Sequence, residues 1–148
     1  MGTTGIAATL AFVAGLCGAI QIAAQGRLAD RVGTLEALGV SVIVAAVTAL
    51  LVIAVARRTL GGVREGFASP KWMLIGGLMS VAIVLTISIA GPKIGVVATS
   101  AFLIVGQFGL ATVIDRFGLF GFQQLHLGWA RVLGLALLAT GAALTLKR

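Results

Sequence analysis

Residues 37–56 read ALGVSVIVAAVTALLVIAVA, a stretch without a Lys, Arg, Asp or Glu whose only hydroxyls are Ser41 and Thr48. A hydrocarbon core about 30 Å thick is crossed by about 20 apolar residues, each rising about 1.5 Å along a helix. This stretch therefore predicts a membrane-spanning helix. Outward from it the pattern repeats: no charge precedes Arg27, and residues 72–92 and 94–114 are equally free of charged side chains. A fifth uncharged run, residues 132–146, rises only ~22 Å. It spans if Trp129 and Arg131 enter the boundary and the arginine snorkels.

Composition agrees, because 59% hydrophobic and 10% charged residues in a chain of 148 leave too little polar surface to cover a soluble domain. The expected fold is an all-α, multi-pass integral membrane protein, a single transmembrane domain over residues 1–148. Its helices are predicted at residues 5–25, 35–56, 72–90, 94–114 and 129–146. The first run lacks a basic leader and exceeds 20 residues, which marks a retained helix and not a cleaved signal. Residues 116–128, RFGLFGFQQLHLG, suit a segment lying in the interface, with Phe117, Phe120, Phe122, Leu125 and Leu127 turned to lipid. Trp72 and Trp129 begin helices where aromatic belts form.

A net charge of +7 would suggest nucleic acid in a soluble protein. Here the cations lie in the connections and at the C-terminus, so lipid headgroups are the expected partners and nucleic acid is not. The lone Cys17, within the first apolar run, offers neither a disulfide nor metal spacing. No phosphate-binding glycine loop, HExxH or paired carboxylates occur, so the expectation is a protein that is not an enzyme and has no cofactor or metal. The glycines are dispersed through apolar runs, where they serve packing and hinges. Gly91 and Pro92, between the third and fourth predicted helices, are the expected hinge.

Loop cations nearly balance. On the side of the N-terminus lie six, Arg57, Arg58, Arg64, Lys71, Arg116 and Arg131, against Arg27, Arg31, Lys93, Lys147 and Arg148 opposite. So small a bias fits two readings: a weakly oriented protein, or a chain that inserts both ways and pairs with an inverted copy of itself. Ala7, Ala11, Gly15, Ala19 and Ala23 recur every four residues along the first helix, a small-residue stripe suited to helix packing within or between chains.

Ala14, Cys17, Gly18, Gln21 and Gln25 fall on a shared face by their spacing. A primary amide facing lipid leaves donors and acceptors unpaired. Gln21, Gln25 and Gln107, with Ser100 on the side of Gln107, therefore either line a cavity or hold helices together. Gln21 lies ~9 Å and Gln107 ~4 Å past the middle of oppositely directed helices, so inverting a second copy brings the two to similar depth. Among the acids, Glu36 and Asp115 are the candidates for coupling or gating. Against this, Glu36 suits a helix N-terminus and Asp115 suits pairing with Arg116 or Arg131. His126 falls in the interfacial segment and is a poor catalytic candidate.

The sequence punctuation resembles the YdcZ-like family of the drug/metabolite transporter superfamily. The matching elements are Gln21-x-x-x-Gln25-Gly-Arg-Leu28, Pro70-x-Trp72 with Gly76-Gly77, Pro92-x-x-Gly95, Gly106-Gln107, the run Asp115 to Gly121, and Arg131-x-x-Gly134 with Gly141. The chain departs from the family pattern at Gln25, where asparagine is usual, and at Ser41-Val42, where a Ser-Phe pair is usual. The resemblance implies about five helices forming one EamA-like half of a ten-helix transporter, completed as an antiparallel homodimer, with Gln21 and Gln107 as pocket residues. The expected function is a small transporter of the bacterial inner membrane. It moves a small polar or amphiphilic solute by alternating access through a cavity between two subunits. The alternatives are a non-transporting membrane subunit or assembly partner, and a lipid-carrier flippase.

Overall fold

The structure, a computed structural model, describes residues 3–59, 61–121, 124 and 128–146. Among these there is no strand. Five helices follow in order: α1 Thr3–Val32, α2 Thr34–Arg57, α3 Gly61–Ala68, α4 Ile75–Phe117 and α5 Trp129–Leu144, with short 3-10 turns at Lys71–Leu74 and Leu119–Gly121. Three helical stretches, Thr4–Val32, Thr34–Arg57 and Lys71–Phe117, are long and apolar enough to cross a membrane. The 16 residues of α5 rise only about 24 Å.

α1 runs seven residues beyond the expected Gln25, to Val32. Arg27, Asp30 and Arg31 mark where the hydrocarbon ends, and nothing in that stretch ends helical hydrogen bonding; at about 1.5 Å per residue α1 outruns the apolar slab. The helix stops at Gly33, whose φ of 101° only glycine adopts readily. The Gly33 N–H still donates to the Ala29 carbonyl, and the Gly33 carbonyl accepts from Ala37, both at 3.0 Å. One residue thus closes one helix and opens the next. α2 ends on Arg58 in the left-handed region, its N–H donating to the Ala54 carbonyl at 3.0 Å.

The expected connection at Gly91-Pro92-Lys93 is helical instead, with Pro92 inside α4. The break comes three residues later, at Gly95 (φ 82°, ψ 168°). Proline removes one N–H but keeps φ near helical values, whereas this backbone conformation is essentially glycine's alone. α4 is therefore two arms, residues 75–94 and 96–117. Past Phe117, positive φ at Gly118, Phe120 and Gly121 ends the helix. Of the expected interfacial segment, Phe122, Gln123, Leu125, Leu127 and His126 lie outside the described residues.

The chain groups into two compact units, one made of the chain up to Ile22 and from Ile94 onward, the other of Ala23–Lys93. Burial is inverted relative to a soluble protein. Fully buried apolar residues are mostly small (Ala29, Ala37, Ala98, Ala142), the largest fully enclosed side chains are Thr99 and Ser88, and Gln25 is only 4% exposed. Leu10, Phe12, Val55, Val97 and Leu137 are instead exposed. With lipid outside, apolar surface gains nothing by turning inward, so helix contacts form between small residues and polar groups. Hydroxyls on outward faces are satisfied within their own helices: Thr9, Thr48, Ser80, Thr86, Thr112 and Thr140 each donate to the carbonyl four residues earlier.

Candidate functional site

In the unit spanning residues 23–93, α1, α2 and the first arm of α4 meet at Gln25. Its Nε2 donates to Ser88 Oγ at 2.7 Å, and Ser41 Oγ donates to its Oε1. Ser88 Oγ in turn donates to the Val84 carbonyl at 2.9 Å. One amide thus has both ends engaged by hydroxyls from two other helices. Just beyond it, a Cβ on Gly26 would lie 3.5 Å from Pro92 Cδ and 3.7 Å from the Gly91 carbonyl carbon. That is ordinary contact, so the backbones pass closely at a point where a glycine and a proline ring fit. Gly91 and Pro92, expected as a hinge, sit against α1 here.

The other unit holds a contrasting arrangement. A cleft of about 360 Å³ separates the first part of α1 from the second arm of α4. One wall is built of Ala11, Ala14, Gly15, Gly18 and Ala19. The opposite wall carries Ser100 and Gln107, with Leu103 and Ile104 between them. Gly15 and Gly18 leave open space, with nothing within 4 Å of where a Cβ would stand. Three members of the predicted packing stripe, Ala11, Gly15 and Ala19, therefore face this cleft, while Ala7 and Ala23 are exposed elsewhere along α1.

Ser100 departs from this pattern of satisfied hydroxyls. Its Oγ is buried and, among the described residues, has no hydrogen-bond partner. Its neighbour Thr99 behaves ordinarily, donating to the Gly95 carbonyl at 2.8 Å. A buried hydroxyl without a partner costs about 1–3 kcal/mol. Gln107, seven residues on, lies on the same helical side and is exposed. Among the described residues no charged side chain lines the cleft, which makes it a neutral site with hydroxyl and amide hydrogen-bonding groups above apolar and backbone surface.

The four predicted cavity residues are thus distributed differently from the expectation. Ser100 and Gln107 share the cleft, Gln25 belongs to the buried triad of the other unit, and Gln21 is exposed on α1 outside both. Ser41 and Ser88 were not singled out as partners of Gln25. Small hydroxyl residues recur through the charge-free runs, so nothing in the sequence marks these two, and their pairing depends on the register between helices.

The two boundary acids occupy places that local electrostatics explains. Glu36 stands in the first turn of α2, with its carboxylate over Gly33, so that a Cβ there would collide with it; an anion at a helix N-terminus is favoured by the dipole. Asp115 Oδ2 accepts from Arg131 Nη1 at 3.2 Å, tying the end of α4 to the start of α5 through a part-exposed ion pair.

No curated protein and no solved structure matches the chain. A family model does, over residues 6–144, nearly the whole of the apolar sequence and both polar sites. With its inverted burial and long apolar helices, the chain is a membrane protein and belongs to the YdcZ family of the drug/metabolite transporters, whose description reads "Putative inner membrane exporter, YdcZ".

Proposed function

We propose that the chain is a small exporter of the bacterial inner membrane that moves a neutral polar or amphiphilic solute by alternating access. The observation that carries this reading is the unpartnered, buried Ser100 hydroxyl beside Gln107 in a cleft of about 360 Å³. Uncharged donors and acceptors match a solute that hydrogen-bonds without bearing a bare charge. The two arms of α4, 20 and 22 residues by their bounds on either side of Gly95, are each long enough for a crossing. Counted this way, the apolar helices make five crossings, with α5 drawn in by its flanking Trp129 and Arg131.

Five crossings are few for a complete alternating-access device, and the members of the small-residue stripe outside the cleft, Ala7 and Ala23, are exposed for close packing of a second copy. The proposed assembly is an antiparallel homodimer, in keeping with the near tie of loop cations. Gly95 is the proposed pivot, since its two flanking arms meet at a single non-helical residue. Coupling through Glu36 or Asp115 has less support, because Asp115 is already paired with Arg131 and Glu36 stands in the first turn of α2, where the helix dipole accounts for a carboxylate.

Efflux tests this directly. In a bacterium stripped of its major exporters, expression of the chain is expected to lower accumulation of at least one solute from a panel of neutral and amphiphilic compounds. Gln107→Ala is expected to abolish that effect at unchanged membrane abundance. Full efflux by the variant would remove the cleft from the mechanism. Labelling of single cysteines at Thr3 and Lys147 from outside intact cells, with Cys17 replaced, reads the assembly: both sites in about half the molecules for the dual orientation, one site alone for a single orientation.

A further inference from the structure

A second cleft, of about 570 Å³, lies wholly within the unit spanning residues 23–93 and carries charges of both signs. Asp30, near the end of α1, and Lys93, near the end of the first arm of α4, both line it. Neither forms a hydrogen bond or ion pair among the described residues, where the ion pair present is Asp115 with Arg131. Leu35, Leu85 and Ile89 supply apolar wall, and Thr34 adds a hydroxyl. Ser88 also borders the cleft, but it is only 1% exposed and its hydroxyl is engaged by Gln25 and Val84.

We infer that this cleft binds a zwitterionic amphiphile, a molecule joining an ammonium group and an acid group to a short apolar body. Two opposite charges that share a cleft and leave each other unpaired each attract a counter-charge. A ligand bearing only one charge meets one favourable and one repelling neighbour, whereas a ligand bearing both satisfies the pair. The ammonium is placed at Asp30 and the acid at Lys93, with the apolar body on Leu35, Leu85 and Ile89.

Position agrees with an amphiphile: the charged last turns of α1 follow directly on its apolar run, where headgroups and water meet. This inference goes beyond the proposed export, concerns a different unit, and is read by binding without any transport.

The same chemistry is offered by a membrane lipid headgroup and by a soluble amino acid with an apolar side chain, so both serve as probes. Calorimetric titration of the full chain in a non-ionic detergent uses lysophosphatidylethanolamine and phenylalanine, with lysophosphatidic acid and dodecylammonium as controls that carry charge of one sign only. At least one zwitterion is expected to bind tenfold or more tightly than either control. Asp30→Asn and Lys93→Gln are each expected to weaken it at least fivefold, and Lys93→Arg to keep it. Both charged side chains are exposed, and Lys93→Arg retains the charge if a neutral variant fails to fold. Binding of the lysolipid alone assigns the site to membrane lipid; binding of phenylalanine assigns it to a soluble solute. Equal binding of zwitterions and controls, or neutral variants within twofold of the natural chain, would overturn the inference.

Discussion

The two polar sites of this small membrane protein use the same side chains to opposite ends. In one unit, Gln25 has both ends of its amide occupied by Ser88 and Ser41, and the site is closed. In the other, Gln107 and the unpartnered hydroxyl of Ser100 face a cleft walled by small residues, and the site is open. Polar groups in lipid must be satisfied; the closed site is satisfied by its own helices, while the open one is the place proposed for a solute. An amide in an apolar run does not by itself say which.

The largest effects separate the two. Gln107→Ala is expected to reduce efflux at least tenfold while thermal unfolding in detergent stays within about 0.5 kcal/mol of the natural chain, as for other substitutions outside the packed core. Gln25→Ala should do the reverse of the second part. Loss of two interhelical hydrogen bonds and a buried amide is expected to cost about 1–3 kcal/mol of stability, and a variant as stable as the natural chain would show the triad to be dispensable. Gly95→Ala comes next, since a Cβ at a φ of 82° and ψ of 168° strains the backbone by about 1–3 kcal/mol. Its melting temperature should fall even though nothing crowds the position. By contrast Gly26→Ala is expected to be tolerated, because the added Cβ meets Pro92 at 3.5 Å, an ordinary contact, whereas Gly26→Leu should not yield a folded protein. Smallest of all is Asp115→Asn, which removes a part-exposed ion pair worth at most about 1 kcal/mol; a complete loss of efflux in that variant would return Asp115 to the coupling role.

Much of this was legible in the sequence because the bilayer imposes one strong rule. Charge-free runs long enough to span marked α2 within a residue or so at each end, and the position of Gln107 beside Ser100 followed from helical spacing. Three features were not legible, each for a physical reason. Charge at Arg27, Asp30 and Arg31 marks the hydrocarbon edge, which is not the helix edge, so α1 outran its expected end. Pro92 is the louder signal for a break, yet its φ suits a helix and Gly95 carries the turn. The partners of Gln25 come from α2 and α4, and helix register is set by small-residue contacts such as Ala29 and Ala37, which are common throughout the chain. Asp30 and Lys93 come to one cleft because α1 extends past its apolar run and the first arm of α4 is unbroken.

The most direct test of the open and closed sites needs no substrate. With Cys17 replaced, cysteine is introduced singly at Ser100 and at Ser88, and each variant in membranes is exposed to a small, charged, water-soluble thiol reagent. A solute-accessible cleft predicts that Ser100→Cys reacts at least tenfold faster than Ser88→Cys. Equally slow reaction at both positions would contradict the account, leaving the cleft of Ser100 and Gln107 as closed to water as the triad around Gln25.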